Sequence, residues 1–527
     1  MFTIHEGEII FKEKYGSSEK SRLYVKPPEQ DNVVALDENH FGDFNSFFTK
    51  IFLPQGYPDS VSKDYINYQI WDTAQAFCST ITGTLATQEV LRGVGVGDTN
   101  ATPLAATITW VIKDGCGHLG RILFAYSHGA NLDAYSKKWR LYADTLNDAA
   151  MCMEIALPLF KKFTTTVLCI STVMKAIVGV AGGATRIAMT QHHAIRGNMA
   201  DVSAKDAAQE TAVNLIASIT AILIMTVFGN SMIIFGIMIV LHIIFNYFAV
   251  RAVCLRTLNE PRFLQVIDTY LKEELISSPC GINQNEPIIF YQLGSNLLDL
   301  KLCGFKIKIG ESIKKVVSHH PKALYAKSVQ EVYEFRGYIL LPDVARRKMY
   351  IVLKVSATID DTLCAYFHAV ILSIVICAIN DYPLAVYKNT RPFGKVCATL
   401  QNAEWSRGES ISISGAFKQN PSVELMIFID KIVQKEWPRM ESGLQQIGWD
   451  LSKHLLIVDE WRLCTAKVVT ESISTTAIHK RHSKIITFDD LMDTFPPEES
   501  FIKGEFTIEP EDHQTVEQKS NENQDNN

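Results

Sequence analysis

The sequence predicts a mostly α-helical, membrane-associated N-terminal domain of about six helices, two of them forming an apolar hairpin, followed by a C-terminal α+β domain. Three observations carry that expectation. Residues 211–250 contain no Asp, Glu, Lys or Arg, and only His242 among them takes a charge near neutral pH. Between residues 44 and 210, apolar residues recur at helical spacing. After about Arg262, short alternating runs suited to strands appear.

Taken in order, residues 1–43 read as an N-terminal extension. The opening string MFTIHEGEIIFKEKYG is interrupted by acids and has no continuous apolar core, so it is not expected to be a signal peptide. Its acids are equally foreign to a transit peptide. The first targeting signal is then internal, which points to an intracellular membrane.

Residues 44–262 form the helical domain. A first helix is expected over Ser60–Arg92, with Tyr65, Tyr68, Trp71, Phe77 and Ile81 at helical spacing. A second begins at Thr102-Pro103, where Pro suits the first turn, and runs toward Tyr126. Asp133–Ala156 is a third, too polar to span lipid because of Lys137, Lys138, Arg140, Asp144 and Asp148. It is expected on the surface or packed against the domain. Phe163–Thr190 is a fourth, and its Gly179–Gly183 fits the GxxxG spacing that permits close helix approach.

The last two helices are the arms of the hairpin. As a single helix, forty residues would extend roughly 60 Å, about twice the apolar thickness of a bilayer. Gly229-Asn230-Ser231 is a turn-forming triplet between the apolar runs Leu215–Phe228 and Met232–Phe245. Ser203, with Asp206 three residues on, resembles a capping box that would start the first arm. Arg251 and Arg256 follow the second, so basic residues return on the side where Lys205 lies, and that side is expected to be cytoplasmic. There is also an internal echo: TQEVLRG at 87–93 matches TQHHAIRG at 190–197 with one extra residue. Three helices fit each copy, and an odd number would insert the second unit upside down.

Composition narrows the functional classes. Charged residues make up 20% of the 527, below the roughly 25% of soluble domains, and the mean hydropathy is +0.06. A net charge of −6 offers no basic surface for nucleic acid. The eleven cysteines are scattered without a CxxC pair, which fits a reducing compartment and neither a disulfide framework nor a zinc site.

Gly115-Cys-Gly-His-Leu-Gly120 is formally GxGxxG, but it follows a helix and not a strand, so a kink or tight packing is expected and not a dinucleotide site. Lys113, Asp114 and Arg121 flank it. Charges in an apolar segment either pair with one another or face a polar cavity. In the second case they form a candidate ligand site for a small anion, bound by charge and by the amides of a broken helix. His192-His193 reads as a solvated loop with no carboxylate at metal spacing, and Asp144 and Asp148 as an exposed acidic face. No Walker loop, HExxH or GxSxG occurs, so no catalytic residue, metal or cofactor is assigned.

Several long strings carry a resemblance: NYQIWDTAQAFCS at 67–79, KWRLYADTLNDAAMCMEIALP at 138–158, AIVGVAGGATRIAMTQH at 176–192 and NMADVSAKDAAQETAVNL at 198–215. Through them the region from Phe44 to Arg262 resembles the family named in plants "root UV-B sensitive", which has animal members, and the rest of the chain matches more loosely. The resemblance implies links to vitamin B6 homeostasis, UV-B response, seedling development and auxin transport. It also implies action in pairs, hence a homotypic or family-member complex. It transfers no catalytic residue.

The second half, residues 263–503, is expected to be a cytoplasmic α+β domain. Tyr338–Leu341 and Met349–Val355 alternate as two strands joined by PDVARRK. Thr358–Asp360 then caps a helix whose uncharged segment Leu363–Ile379 is borderline for a membrane span, and its flanking strands favour a buried core helix. Val423–Ile447 is amphipathic and His454–Val458 reads as a strand. Residues 504–527 are an acidic tail expected to be disordered. Two functions are consistent with this sequence. One is a non-enzymatic interaction or regulatory protein held in a membrane, with lipid and a protein as partners. The other is a small-molecule carrier, or its regulator, with a polar site near Lys113–Arg121.

Overall fold

A computed structural model of the chain describes residues 8–14, 21–27, 32–37, 43–93, 102–288, 296–317, 323–386, 392–411 and 419–464. The expected acidic tail and the stretch 465–503 of the second domain lie outside the described residues.

Strands β1 (Glu8–Lys14), β2 (Ser21–Lys26) and β3 (Val34–Asp37) form an antiparallel meander ahead of α1 (Asp43–Phe52). Six long helices follow: α2 (Tyr65–Gly93), α3 (Pro103–Ala134), α4 (Ser136–Ile155), α5 (Thr164–His193), α6 (Met199–Phe228) and α7 (Met232–Ala252). Thr102 caps α3 by accepting from the Ala105 N–H, with Pro103 in the first turn. The chain breaks at Tyr135, whose backbone (φ −123, ψ 40) is not helical, before turning into α4.

Side-chain contacts fix the helix directions. Gln69 meets Asp206, Thr80 meets Asn214 and Glu89 meets Asn230, so α2 and α6 run parallel. Trp71 stacks near Phe248 and Gln75 meets His242, so α7 returns along α2. Arg140 pairs with Asp72 while Met151 and Ile155 pack with Ile81 and Leu85, placing α4 parallel to α2. Lys175 bonds Glu154 and Ala181 packs with Trp139, so α5 opposes α4. The packing is reciprocal: α2 carries α6 and α7 from the second half of the bundle, and α5 carries α3 and α4 from the first. The two echoing strings each end the leading helix of their half.

The hairpin is present, with two differences from expectation. Its arms pack on α2 more than on each other, leaving an apolar groove of about 420 Å³ lined by Ile70, Phe77, Val213, Ile216, Leu241 and Phe245. Gly229 turns the chain at φ +65, a region costly for other residues, and Ser231 caps α7. Asn230 donates to the Leu85 carbonyl and to Glu89 Oε1 at 2.8 Å, pinning the turn to α2. The first arm starts at Met199, not Ser203. The expected capping box fails because Asp206 is claimed by Arg186 (2.8 Å) and Gln69 (3.0 Å).

The GxGxxG segment does not kink. It runs as continuous helix, and two of its three glycines serve close approach: a Cβ on Gly117 or Gly120 would sit 2.9 Å from Thr172 or Val173 of α5, while Gly115 faces open space. The expected GxxxG glycines, Gly179 and Gly183, face open space instead. Outward faces are strongly apolar, with Ile108, Val111, Leu119 and Ile122 of α3, Leu215, Ile219 and Leu223 of α6, and Ile233 and Ile237 of α7 exposed. Among the described residues, four helices are long and apolar enough to cross a membrane: α5, α6, α7 and one in the second half.

That second half contains β4 (Thr257–Asn259), α8 (Glu260–Glu273), α9 (Pro279–Asn285), α10 (Asn296–Leu302), β5 (Lys306–Ile309), α11 (Ile313–Val317), α12 (Ala323–Val332), β6 (Tyr338–Asp343) and β7 (Lys348–Lys354). Then come α13 (Ile359–Ile379), α14 (Pro392–Asn402), β8 (Arg407–Ser410), β9 (Gln419–Pro421), α15 (Val423–Ile447), β10 (Asp450–Leu455) and β11 (Arg462–Leu463). β7 pairs antiparallel with β6 on one side and parallel with β5 and β11 on the other. The largest core gathers around α13, which is buried from Thr362 to Ile379 beneath this sheet, α8, α14 and α15. Its start is a full capping box between Thr358 and Asp361. This core already includes Leu258 and Phe263, so the change of character expected near Arg262 falls at the start of α8. The expected strand at His454–Val458 is β10, shifted toward Asp450, with Val458 only bridging Ile309.

Candidate functional site

The sequence-derived site is on the outermost face of the bundle. Lys113 Nζ lies 3.2 Å from Asp114 and 4.1 Å over the Trp110 ring, so these two charges satisfy each other. Arg121 is two turns further along α3, exposed, with no ion pair among the described residues. Because α3 is unbroken there, its amides are spent on the helix and offer no anion cradle.

The charges that converge do so inside the bundle, on α2, α4 and α7. Asp148 accepts from His242 Nδ1 at 2.8 Å, and His242 Nε2 reaches Gln75 Oε1 at 2.7 Å. Gln75 Nε2 donates to Asp72 at 3.2 Å, and Arg140 donates to the same Asp72 oxygen at 3.0 Å. Arg140 also pairs with Asp144 at 3.4 Å, whose Oδ2 accepts from Asn246 Nδ2 at 2.7 Å. Seven side chains thus form one continuous polar chain, linked by hydrogen bonds except at the Arg140–Asp144 ion pair. Both ring nitrogens of His242 face acceptors, a pattern that a ring carrying both protons satisfies. The expected exposed acidic face of α4 is therefore turned inward, and of the two placements expected for this helix the structure has the second, packed against the domain. The signal in the sequence was a histidine in the middle of an otherwise uncharged span, with Asn246 four residues on, the same spacing as Asp144 and Asp148 of α4.

A second polar cluster lies where the bundle meets the second half. His192 Nε2 is 2.9 Å from Asp64 Oδ2, and His193 Nδ1 is 3.9 Å from Asp64 Oδ1 and 2.6 Å from Ser62 Oγ. The Cys254 N–H also donates to Asp64 at 2.6 Å. The two histidines end α5 and are nearly buried, which corrects the solvated-loop expectation. Burial raises the Asp64 pKa, yet hydrogen bonds from His192 and Ser62, the His192 charge and the Cys254 N–H together hold it below the ordinary carboxylate range. Close by, Lys137 Nζ lies 3.7 Å and Arg262 Nε 3.1 Å from Glu286, all three fully buried, and Asn259 also donates to Glu286. Asp64 is separated from the histidines by more than a hundred residues, so sequence spacing gave no hint of their meeting.

These features define a class: a helical bundle with an apolar exterior and a charged interior, joined at one end to an α+β domain through buried ion pairs. Two adjoining family models match the chain. One, described as a vitamin B6 photo-protection and homoeostasis domain, covers residues 38–274, and the other, the root UVB sensitive protein C-terminal domain, covers 275–465. The chain belongs to the root UVB sensitive family. It is 41% identical over 301 residues to RUS family member 1 of Dictyostelium discoideum, a match covering 55% of this chain and 57% of that one. It is 30% identical over 374 residues to root UVB sensitive 3 of Arabidopsis thaliana, covering 70% of this chain and 84% of the relative. Root UVB sensitive 6 of the same plant is 26% identical over 429 residues, covering 81% and 79%. No solved structure matches the chain significantly.

Proposed function

We propose that this is a non-enzymatic membrane protein of vitamin B6 homeostasis whose six-helix bundle sits in lipid and carries a small polar solute along its charged interior. One observation carries the reading: the continuous chain Asp148–His242–Gln75–Asp72–Arg140–Asp144–Asn246 lies within helices whose outer faces are Ile, Leu and Phe. Ionisable groups in such surroundings are expensive to keep and mark solute or proton paths. The reciprocal packing of two three-helix halves that run in opposite directions supports the same reading, since carriers of inverted repeats place their site between the halves. The family description supplies the B6 connection.

The α+β domain supports a partner role. Its exposed Phe335, Trp405 and Trp461 suit a protein surface, such as a second family member.

Reconstituting the full chain in vesicles with a panel of cations, anions and B6 vitamers tests this reading. Saturable uptake is expected in the wild type, lost in Asp148→Asn and His242→Gln, and kept in Asp114→Asn because the outer pair is remote from the path. Absence of uptake by folded, correctly oriented protein, with stable capture of a protein by the second domain, would instead favour a purely adaptor role. Glycosylation tags at Asn230 and after Arg256 should fall on opposite sides of the membrane.

A further inference from the structure

We propose that Asp64, His192 and His193 form a binding site for one divalent transition-metal ion of the zinc class, which staples the end of the bundle. One carboxylate oxygen and one nitrogen from each imidazole lie within 4.8 Å of one another. Two imidazoles and a carboxylate are a donor set that zinc accepts, leaving a fourth position for water or a ligand. His192 and His193 are consecutive, and side chains of consecutive helical residues diverge. Here α5 ends at His193 and Ala194 leaves the helix (φ −84, ψ 81), which lets the two rings approach to 5.0 Å between centroids.

The surroundings suit a cation. The rings sit at the C-terminal end of a thirty-residue helix, where the free carbonyls favour positive charge. Tyr65 and Tyr68 wall in His193 at 5.5 and 5.1 Å, keeping bulk water out. Asp64 is oriented by the Cys254 N–H and His193 Nδ1 by Ser62 Oγ, the kind of support that fixes ligand geometry. Metal would take over the His192–Asp64 contact and tie together two distant segments, the lead-in to α2 and the end of α5, with the exit from α7 held through the Cys254 N–H bond to Asp64.

The test uses the full chain purified in detergent. After stripping with chelator and exposure to Zn²⁺ or Co²⁺, the wild type is expected to retain one metal per chain by elemental analysis. Co²⁺ should give visible d–d absorption, and added Zn²⁺ should raise the melting temperature saturably. His192→Asn and Asp64→Asn should lose the retained metal and the Co²⁺ band. Because either could weaken folding, Ser62→Ala serves as a milder variant that keeps all three ligands, with affinity reduced roughly 10- to 100-fold. Folded wild-type protein that retains no metal, shows no Co²⁺ band and melts at a temperature independent of Zn²⁺ overturns the proposal and leaves the cluster as a hydrogen-bonded latch. Metal retained equally by Asp64→Asn and His192→Asn overturns it as well.

Discussion

Arg140→Met is the sharpest probe of the interior chain. Within that chain Arg140 sits between two carboxylates, 3.0 Å from Asp72 and 3.4 Å from Asp144, and all three side chains are less than one-fifth exposed. Methionine approximates the length of the stem but removes every donor. Two acids would then share a dry region with Gln75 and Asn246 as their remaining neutral partners. Breaking a buried ion pair from one side costs about 3–5 kcal/mol, because the orphaned charge stays behind. At roughly 2–4 °C per kcal/mol for a domain of this size, the melting temperature should fall by roughly 6–20 °C. Scanning fluorimetry of the detergent-solubilised protein reads this directly. The triple variant Asp72→Asn, Arg140→Gln, Asp144→Asn removes all three charges and should recover more than half of the loss. A single Arg140→Met that melts within about 2 °C of wild type, or a triple variant no more stable than the single, refutes the reasoning that these charges hold one another.

Three further outcomes follow from the same geometry. Gly120→Ala drives a Cβ to 2.9 Å from Val173 Cγ1 and should cost about 1–3 kcal/mol by overpacking; Val173→Ala in the same chain should restore most of it in a melt. Asn230→Ala loses the 2.8 Å bond to Glu89 and the bond to the Leu85 carbonyl; Glu89 Oε1 keeps Arg92 at 3.0 Å, so the cost is that of two lost hydrogen bonds, about 1–3 kcal/mol together, with faster proteolysis at the turn between α6 and α7. His368, fully buried on α13, has its pKa pushed down to about 3 by burial and by Arg336. Its folded form is neutral while the unfolded chain takes a proton below 6.5, so stability is complete above pH 6.5 and drains as pH falls toward 3. The loss is on the order of 5 kcal/mol, and His368→Gln should flatten the slope of melting temperature against pH across that window.

What could be read from the sequence depended on how local the cause was. The hairpin was legible because forty uncharged residues with a Gly-Asn-Ser break admit few other folds. α13 was legible as a core helix because Thr358 and the strands on either side mark it locally. The start of α6 was misjudged because Ser203 and Asp206 have capping spacing, while the acid is committed to Arg186 and Gln69 on other helices. Asp144 and Asp148 looked like a solvated face because nothing near them in sequence shows that Asn246 and His242 oppose them. Lys113, Asp114 and Arg121 drew attention as charges in an apolar segment, and the structure places them on the outer helix. The glycines beside them matter for contact with Thr172 and Val173, which periodicity cannot reveal.

The buried helix α13 has a consequence for how the chain is made. Its residues are as apolar as those of α7, and by length it could cross a membrane. The sheet, α8, α14 and α15 cover it, and α15 emerges from the ribosome some forty residues later. On the proposed placement of the bundle in lipid, the insertion machinery meets for that interval a segment that qualifies for lipid. A premature stop before α15, or a deletion of β6 and β7, would leave Ile359–Ile379 uncovered, and the expected product is a chain with one additional crossing and its C-terminus delivered to the wrong compartment.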